Sequence, residues 1–130
     1  MEFVITDQAP TPGGHYSQAV VHQGLVYVSG QLPIDPETGQ SVTEGDIEQQ
    51  GLMALTNVTS ILEAAGSRLD LTLKVSVYIS DISLWGRFNK VYAEFFGAHR
   101  PARVVIPTRD LHHGVLIEID AIAALPESSA

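Results

Sequence analysis

The 130-residue sequence predicts an α+β fold, a two-layer sandwich in which a mixed sheet carries two helices on one face. Three observations predict it. Residues 71–80 alternate strictly between apolar and polar side chains, the pattern of a half-buried strand. Two stretches, one from Asp46 and one from Ser80, repeat apolar residues at spacings of three and four, which marks helices with one buried stripe. Shorter apolar runs, punctuated by Gly and Pro, supply the remaining strands.

From the N-terminus, residues 9–15 (Ala-Pro-Thr-Pro-Gly-Gly-His) are rich in turn formers and lead into a strand-like run over residues 16–22. Gln23 and Gly24 turn the chain into residues 25–29 (Leu-Val-Tyr-Val-Ser), so the two runs read as a β-hairpin. Gly30 ends the second strand. A Gly there also lets backbone amides approach a ligand where a side chain would block them. Residues 32–39 read as a surface loop, with a tight turn around Asp35, Pro36 and Gly39.

The first helix starts at Asp46, a cap supported by Gln49 three residues on. It buries Ile47, Gly51, Leu55, Val58, Ile61, Leu62 and Ala65 and stops at Gly66. In the alternating strand Leu71, Leu73, Val75, Val77 and Ile79 face one way, and Thr72, Lys74, Ser76, Tyr78 and Ser80 the other. The second helix, capped by Ser80 or Asp81, buries Leu84, Phe88, Val91, Tyr92 and Phe95 and stops at Gly97. A short strand around residues 103–106, a connection containing Pro and His, and a long strand over residues 115–123 complete the pattern. The tail from about residue 126 should fray. Hairpin residues Leu25, Val26, Tyr27 and Val28 are apolar on both sides, so the sheet face away from the helices needs cover; self-association is the simplest.

At this length, with 45% hydrophobic and 17% charged residues, we expect one domain over residues 1–130 with a real core. No run approaches the roughly 18 apolar residues of a membrane span, and the first residues lack the marks of a secretory signal. With no cysteine to form disulfides or thiolate sites, the expectation is a cytoplasmic protein without a membrane partner. The net charge of −8 repels phosphate backbones, and the basic residues Lys74, Arg87, Lys90, Arg100, Arg103 and Arg109 are dispersed, which disfavours nucleic acid.

Arg103 is the first residue that could carry chemistry. With Val105 it faces one side of its short strand, Val104 and Ile106 the other. Its planar fork matches a carboxylate, although an ion-pair role explains an arginine there equally simply. On the last strand Glu118 and Asp120 share a side with Leu116 and Ile122, while Val115, Ile117, Ile119 and Ala121 face the other layer. Two acids in such company need water or a partner: a solvated edge, a salt bridge to Arg103, or a water that one of them activates. Tyr16 is either a half-buried aromatic or a hydroxyl presented at a cleft. The five histidines show no metal-ligand spacing, and His112 and His113, if on a strand, would point apart, so no metal is expected. No phosphate loop or serine-nucleophile elbow occurs.

Six motifs stand in order over residues 9–125. They are Gly14-His-Tyr16-Ser-Gln-Ala, Val28-Ser-Gly30-Gln-Leu-Pro-Ile-Asp-Pro-Glu-Thr-Gly39, Gly45-Asp-Ile-Glu-Gln-Gln, Asn89-Lys-Val-Tyr92-Ala-Glu-Phe-Phe-Gly97, Arg100-Pro-Ala-Arg103 and Ile117-Glu118-Ile-Asp-Ala-Ile-Ala. Together they resemble the reactive-intermediate deaminase family, RidA or YjgF. The resemblance implies a chorismate-mutase-like fold, a homotrimer with ligand clefts between subunits, and a hydrolase of the 2-iminobutanoate/2-iminopropanoate deaminase type. Such an enzyme converts enamines and imines of small 2-amino acids to 2-keto acids and ammonia without a cofactor. By the same resemblance Arg103 binds the substrate carboxylate, Glu118 positions the water, and Tyr16, Gly30, Asn89 and the backbone of Val105 line the cleft.

The sequence departs from that pattern at Val105, where many members carry Cys, at Pro107, and at Leu111-His-His-Gly114, which replaces a Leu-Pro turn. These positions bear on which imine is accepted, or on whether the site serves a pathway-specific deaminase of an amino-dicarboxylate. Two other readings compete. One is a non-catalytic module that senses a small carboxylate or keto acid. The other is the ribonuclease or translation-inhibitor role attached to the family, against which the charge argues.

Overall fold

The computed structural model describes residues 1–127. Six strands form one sheet: β1 (Glu2–Val4), β2 (Ala19–His22), β3 (Leu25–Gln31), β4 (Thr72–Ile79), β5 (Ala102–Pro107) and β6 (Ile117–Ala124), in the spatial order β1-β2-β3-β6-β4-β5. All neighbours are antiparallel except β4 and β5. Parallel neighbours need a crossover, and helix α2 (Trp85–Phe96) provides it. Helix α1 (Ile47–Ala64) packs against β3, β6 and α2, so both helices cover one face, as the sequence predicts.

The local reasons are those the residues supply. Asp46 and Gln49 close a reciprocal capping box at 2.9 and 3.0 Å, and Gly66 leaves α1 with φ +88. The helices approach closely at Gly51, where a Cβ would stand 2.6 Å from the Phe88 ring. The core is one continuous cluster in which Val26, Val75, Val77, Ile79, Ile117 and Ile119 from the sheet meet Leu55, Ile61, Leu62 and Phe88 from the helices.

Four details differ from the sequence reading. The N-terminal strand β1 was not anticipated; it adds to the exposed edge of β2. In β4 the register slips between Thr72 and Lys74, so Thr72 is buried while Leu73 is 48% exposed, the reverse of strict alternation. The phase from Val75 onward is as expected. A 3₁₀ turn over Ile82–Leu84, capped by Asp81 on Ser83 N–H, precedes α2, and the buried stripe runs through Phe88, Tyr92 and Phe96 with Phe95 only partly covered. Finally, Gly30 does not end β3 but sits in a bulge within it: three steps from Val28 to Gln31 face two from Ala121 to Ile119. Pro126 and Glu127 are exposed and irregular, and the rest of the tail lies outside the described residues.

Candidate functional site

A cleft of about 730 Å³ opens where β3 and β6 meet three loops. Glu118 stands on its floor. The bulge at Gly30 makes room for that carboxylate, since a Cβ on Gly30 would collide with Glu118 Oε2 and lie 3.1 Å from its Cδ. Burial pushes the Glu118 carboxyl above its ordinary value; the charge of His112 opposes this and that of Asp120 adds to it. Among the described residues Glu118 has no hydrogen-bond or ion-pair partner, whereas Asp120 accepts from Tyr78 Oη at 3.0 Å. One carboxylate is committed to the scaffold and one is free to act on what enters the cleft.

Each wall of the cleft is anchored by a buried side-chain amide. Gln18 receives Thr6 N–H at 2.7 Å and donates to Thr6 O at 2.9 Å and Pro10 O at 3.0 Å, holding the first loop. Asn57 donates to Leu32 O at 3.1 Å and Ile34 O at 2.9 Å, holding the second. Gln50 donates to Gly45 O at 2.9 Å and accepts Leu116 N–H at 2.8 Å, holding the chain between the third wall and Glu118. That wall is a 3₁₀ turn, His112–Gly114, which places His112 and His113 on the lining of the cleft and does not extend β6. Tyr16 lines the cleft as an exposed residue, its hydroxyl accepting Gly13 N–H at 3.3 Å.

Arg103, Asn89 and Val105 form a second group. The Arg103 guanidinium lies 4.7 Å from the Trp85 ring centroid and 4.5 Å from that of Tyr92, and donates to Asn89 Oδ1 at 3.0 Å. Trp85, Asn89 and Tyr92 follow one another at i, i+4 and i+7 along α2, one face of the helix. Cation–π contacts of this kind are worth about 0.5–2 kcal/mol each and fix the direction of the fork. Val105 pairs with Val77 and packs partly against the core.

The strand register separates the two groups. Arg103 pairs with Val75, which pairs with Ala121, so Arg103 points to the helix-covered side. Glu118 pairs with Tyr78, which pairs with Ile106, so it points to the open side. A salt bridge between Arg103 and Glu118 of one chain, one of the accounts open from sequence, is therefore absent. The structure unites Tyr16, Gly30 and Glu118, unites Arg103, Asn89 and Val105, and leaves the two sets on opposite faces. The roles of His112, His113, Trp85 and Tyr92 escaped the sequence reading, although the i, i+4, i+7 spacing on α2 was there to be seen. Among the described residues no group of three or more His, Cys, Asp or Glu side chains could hold a metal, and no helix is long and apolar enough to cross a membrane.

Residues 6–125 match the family model described as Endoribonuclease L-PSP. A RutC family protein of Pyrococcus horikoshii is 46% identical over 94% of this chain and 96% of its own. A Thermotoga maritima structure superposes with a TM-score of 0.93 at 46% identity, covering 98% of this chain and 99% of that one. The structure of E. coli TdcF with bound serine superposes at 0.91 with 33% identity, covering 97% and 100%.

Proposed function

The chain belongs to the RidA/YjgF family, whose model carries the description Endoribonuclease L-PSP, and on that premise we propose that it hydrolyses reactive enamines and imines of small 2-amino acids to 2-keto acids and ammonia. The observation that carries the reading is Glu118: a half-buried, unpartnered carboxylate with a raised proton affinity, standing in a cleft cleared for it by Gly30. A carboxyl in that state accepts a proton from water and returns it. The solved relative TdcF, described with serine bound, supports a ligand of amino-acid size and charge.

In this reading Arg103 clamps the substrate carboxylate bidentately, so that the imine carbon faces the water held by Glu118; positioning supplies much of the rate. Because one chain keeps the two residues on opposite faces, the working site joins the Arg103 edge of one copy to the Glu118 cleft of another, as in a homotrimer with inter-subunit clefts. The uncovered face supports such an assembly, with Phe3 64%, Tyr27 42% and Val104 40% exposed. RNA cleavage, which the family's description suggests, is disfavoured by the net charge of −8, which repels a phosphate backbone.

The test is ammonia release from imines generated by an amino-acid oxidase. Wild type should accelerate it and Arg103→Ala should abolish the acceleration while keeping its fold. Equal activity in the variant would refute the assignment, and Arg103-dependent ligand binding without turnover would replace it with a sensing role.

A further inference from the structure

Resting on the hydrolase reading above, we propose that His112 is a second proton-transfer group of the site, giving a proton to the departing nitrogen while Glu118 takes one from the attacking water. Three observations carry it. His112 lines the same cleft as Glu118, and its charge acts on that carboxyl. The turn that carries it has an uncommon backbone, with His113 at φ 60, a left-handed conformation that few non-glycine residues adopt, and Gly114 at φ 72. The turn is also tied on its C-terminal side, where Leu116 donates to Gln50 and accepts Ser80 N–H at 2.9 Å. The imidazole is thus delivered from a fixed backbone to the cleft that holds the acting carboxylate.

The ionisable groups around it are few. Glu118 faces it from β6, His113 stands beside it on the same turn with the rings 6.0 Å apart, and Tyr16 comes from the first wall. Among the described residues no lysine or arginine lines the cleft of one chain, and the Arg103 brought by a second copy is assigned to the substrate carboxylate. Water addition to an iminium needs a base, and amine departure needs an acid. One carboxyl can serve both only in turn. A second group that can carry a proton removes that restriction.

The steps balance with both groups restored. Glu118 takes a proton from water as the C–O bond forms and the C=N pair moves onto nitrogen. Protonated His112 gives its proton to that nitrogen, making an ammonium leaving group. The C–N bond breaks as the new hydroxyl passes its proton to His112, leaving the 2-keto acid. The released ammonia then takes the proton from Glu118. In sum, iminium and water become keto acid and ammonium.

The experiment is the pH profile of kcat/KM for imine hydrolysis by wild type and His112→Gln, each with and without added imidazole. Wild type should rise with pH as Glu118 ionises and fall at higher pH as the acid is lost. His112→Gln should lose about 10²-fold, lose the falling limb, and recover part of its rate with free imidazole. Because His112 is exposed, the variant should melt like wild type. A role confined to shaping the turn or to acting on the Glu118 carboxyl moves the rising limb, keeps the falling one and gives no rescue; that result overturns the proposal. Activity of the variant equal to wild type overturns it too. A wild type inactive on every imine overturns the hydrolase reading, and this inference with it.

Discussion

Gly30→Ala isolates the contact between the bulge and the acting carboxylate. The φ of Gly30 is not positive, so an alanine meets no backbone strain, and the loss of unfolded-chain freedom favours it by about 0.4–1 kcal/mol. Against this, the new Cβ occupies the space of Glu118 Oε2 and crowds its Cδ at 3.1 Å and Cγ at 3.4 Å. The carboxylate must swing away at a rotamer cost of about 0.5–1.5 kcal/mol. The two terms nearly cancel, so stability should change by no more than about 1 kcal/mol. Activity should not be spared: a displacement of the reacting group by about 1 Å costs on the order of 10²-fold.

The assay pairs chemical denaturation with kcat/KM on an oxidase-generated imine, in the wild-type and Glu118→Ala backgrounds. Gly30→Ala should cost about 10²-fold in the first and almost nothing in the second, because its target is gone. In the second background the alanine should stabilise slightly. Full activity in Gly30→Ala, or an equal loss in both backgrounds, would refute the reasoning.

Other consequences can be read by simpler means. Gln50→Leu and Asn57→Leu each leave two part-buried backbone groups unpaired and should lose about 1–3 kcal/mol in denaturant melts, with KM rising more than kcat falls as a cleft wall slackens. Gly51→Ala should lose about 1–3 kcal/mol, because its Cβ has no room against Phe88. Glu118 binds its proton more tightly folded than unfolded, so its ionisation removes stability as pH rises from the ordinary carboxylate value of 4.5 through the raised one. Glu118→Gln should therefore be the more stable protein at neutral pH, and the advantage should vanish in acid; an advantage that grows in acid would reverse the assignment. A fluorescent RNA should show no salt-sensitive binding to a chain of net charge −8.

Much of this architecture was legible in the sequence because local chemistry decided it. Asp46, Gln49 and Gly66 bound α1 without help from the rest of the chain, and Val75, Val77 and Ile79 declare their buried side by alternation. What escaped depends on partners. The bulge at Gly30 and the slip at Thr72 exist only relative to β6, and β1 forms only because β2 offers an edge. In α2 the stripe continues from Tyr92 by a step of four to Phe96, with Phe95 three on only partly covered, and periodicity alone does not choose between those two neighbours.

The site divides in the same way. Arg103 and Glu118 could be singled out as residues, and the side each takes on its own strand could be read. Whether those sides coincide depends on pairing through β4, and they do not. The cleft walls were invisible for a related reason: Gln18, Gln50 and Asn57 act over separations of 12, 66 and 25 residues.

Mixed assembly tests the central claim most directly. Arg103→Ala and Glu118→Ala, each reduced alone to a small residual rate, are unfolded together in equal amounts and refolded. If every site takes Arg103 from one copy and Glu118 from its neighbour in a closed ring, about one cleft in four regains both residues, and about a quarter of wild-type activity should return. If the site lies within a single chain, no cleft regains both, and a mixture as inactive as its parents would contradict the account.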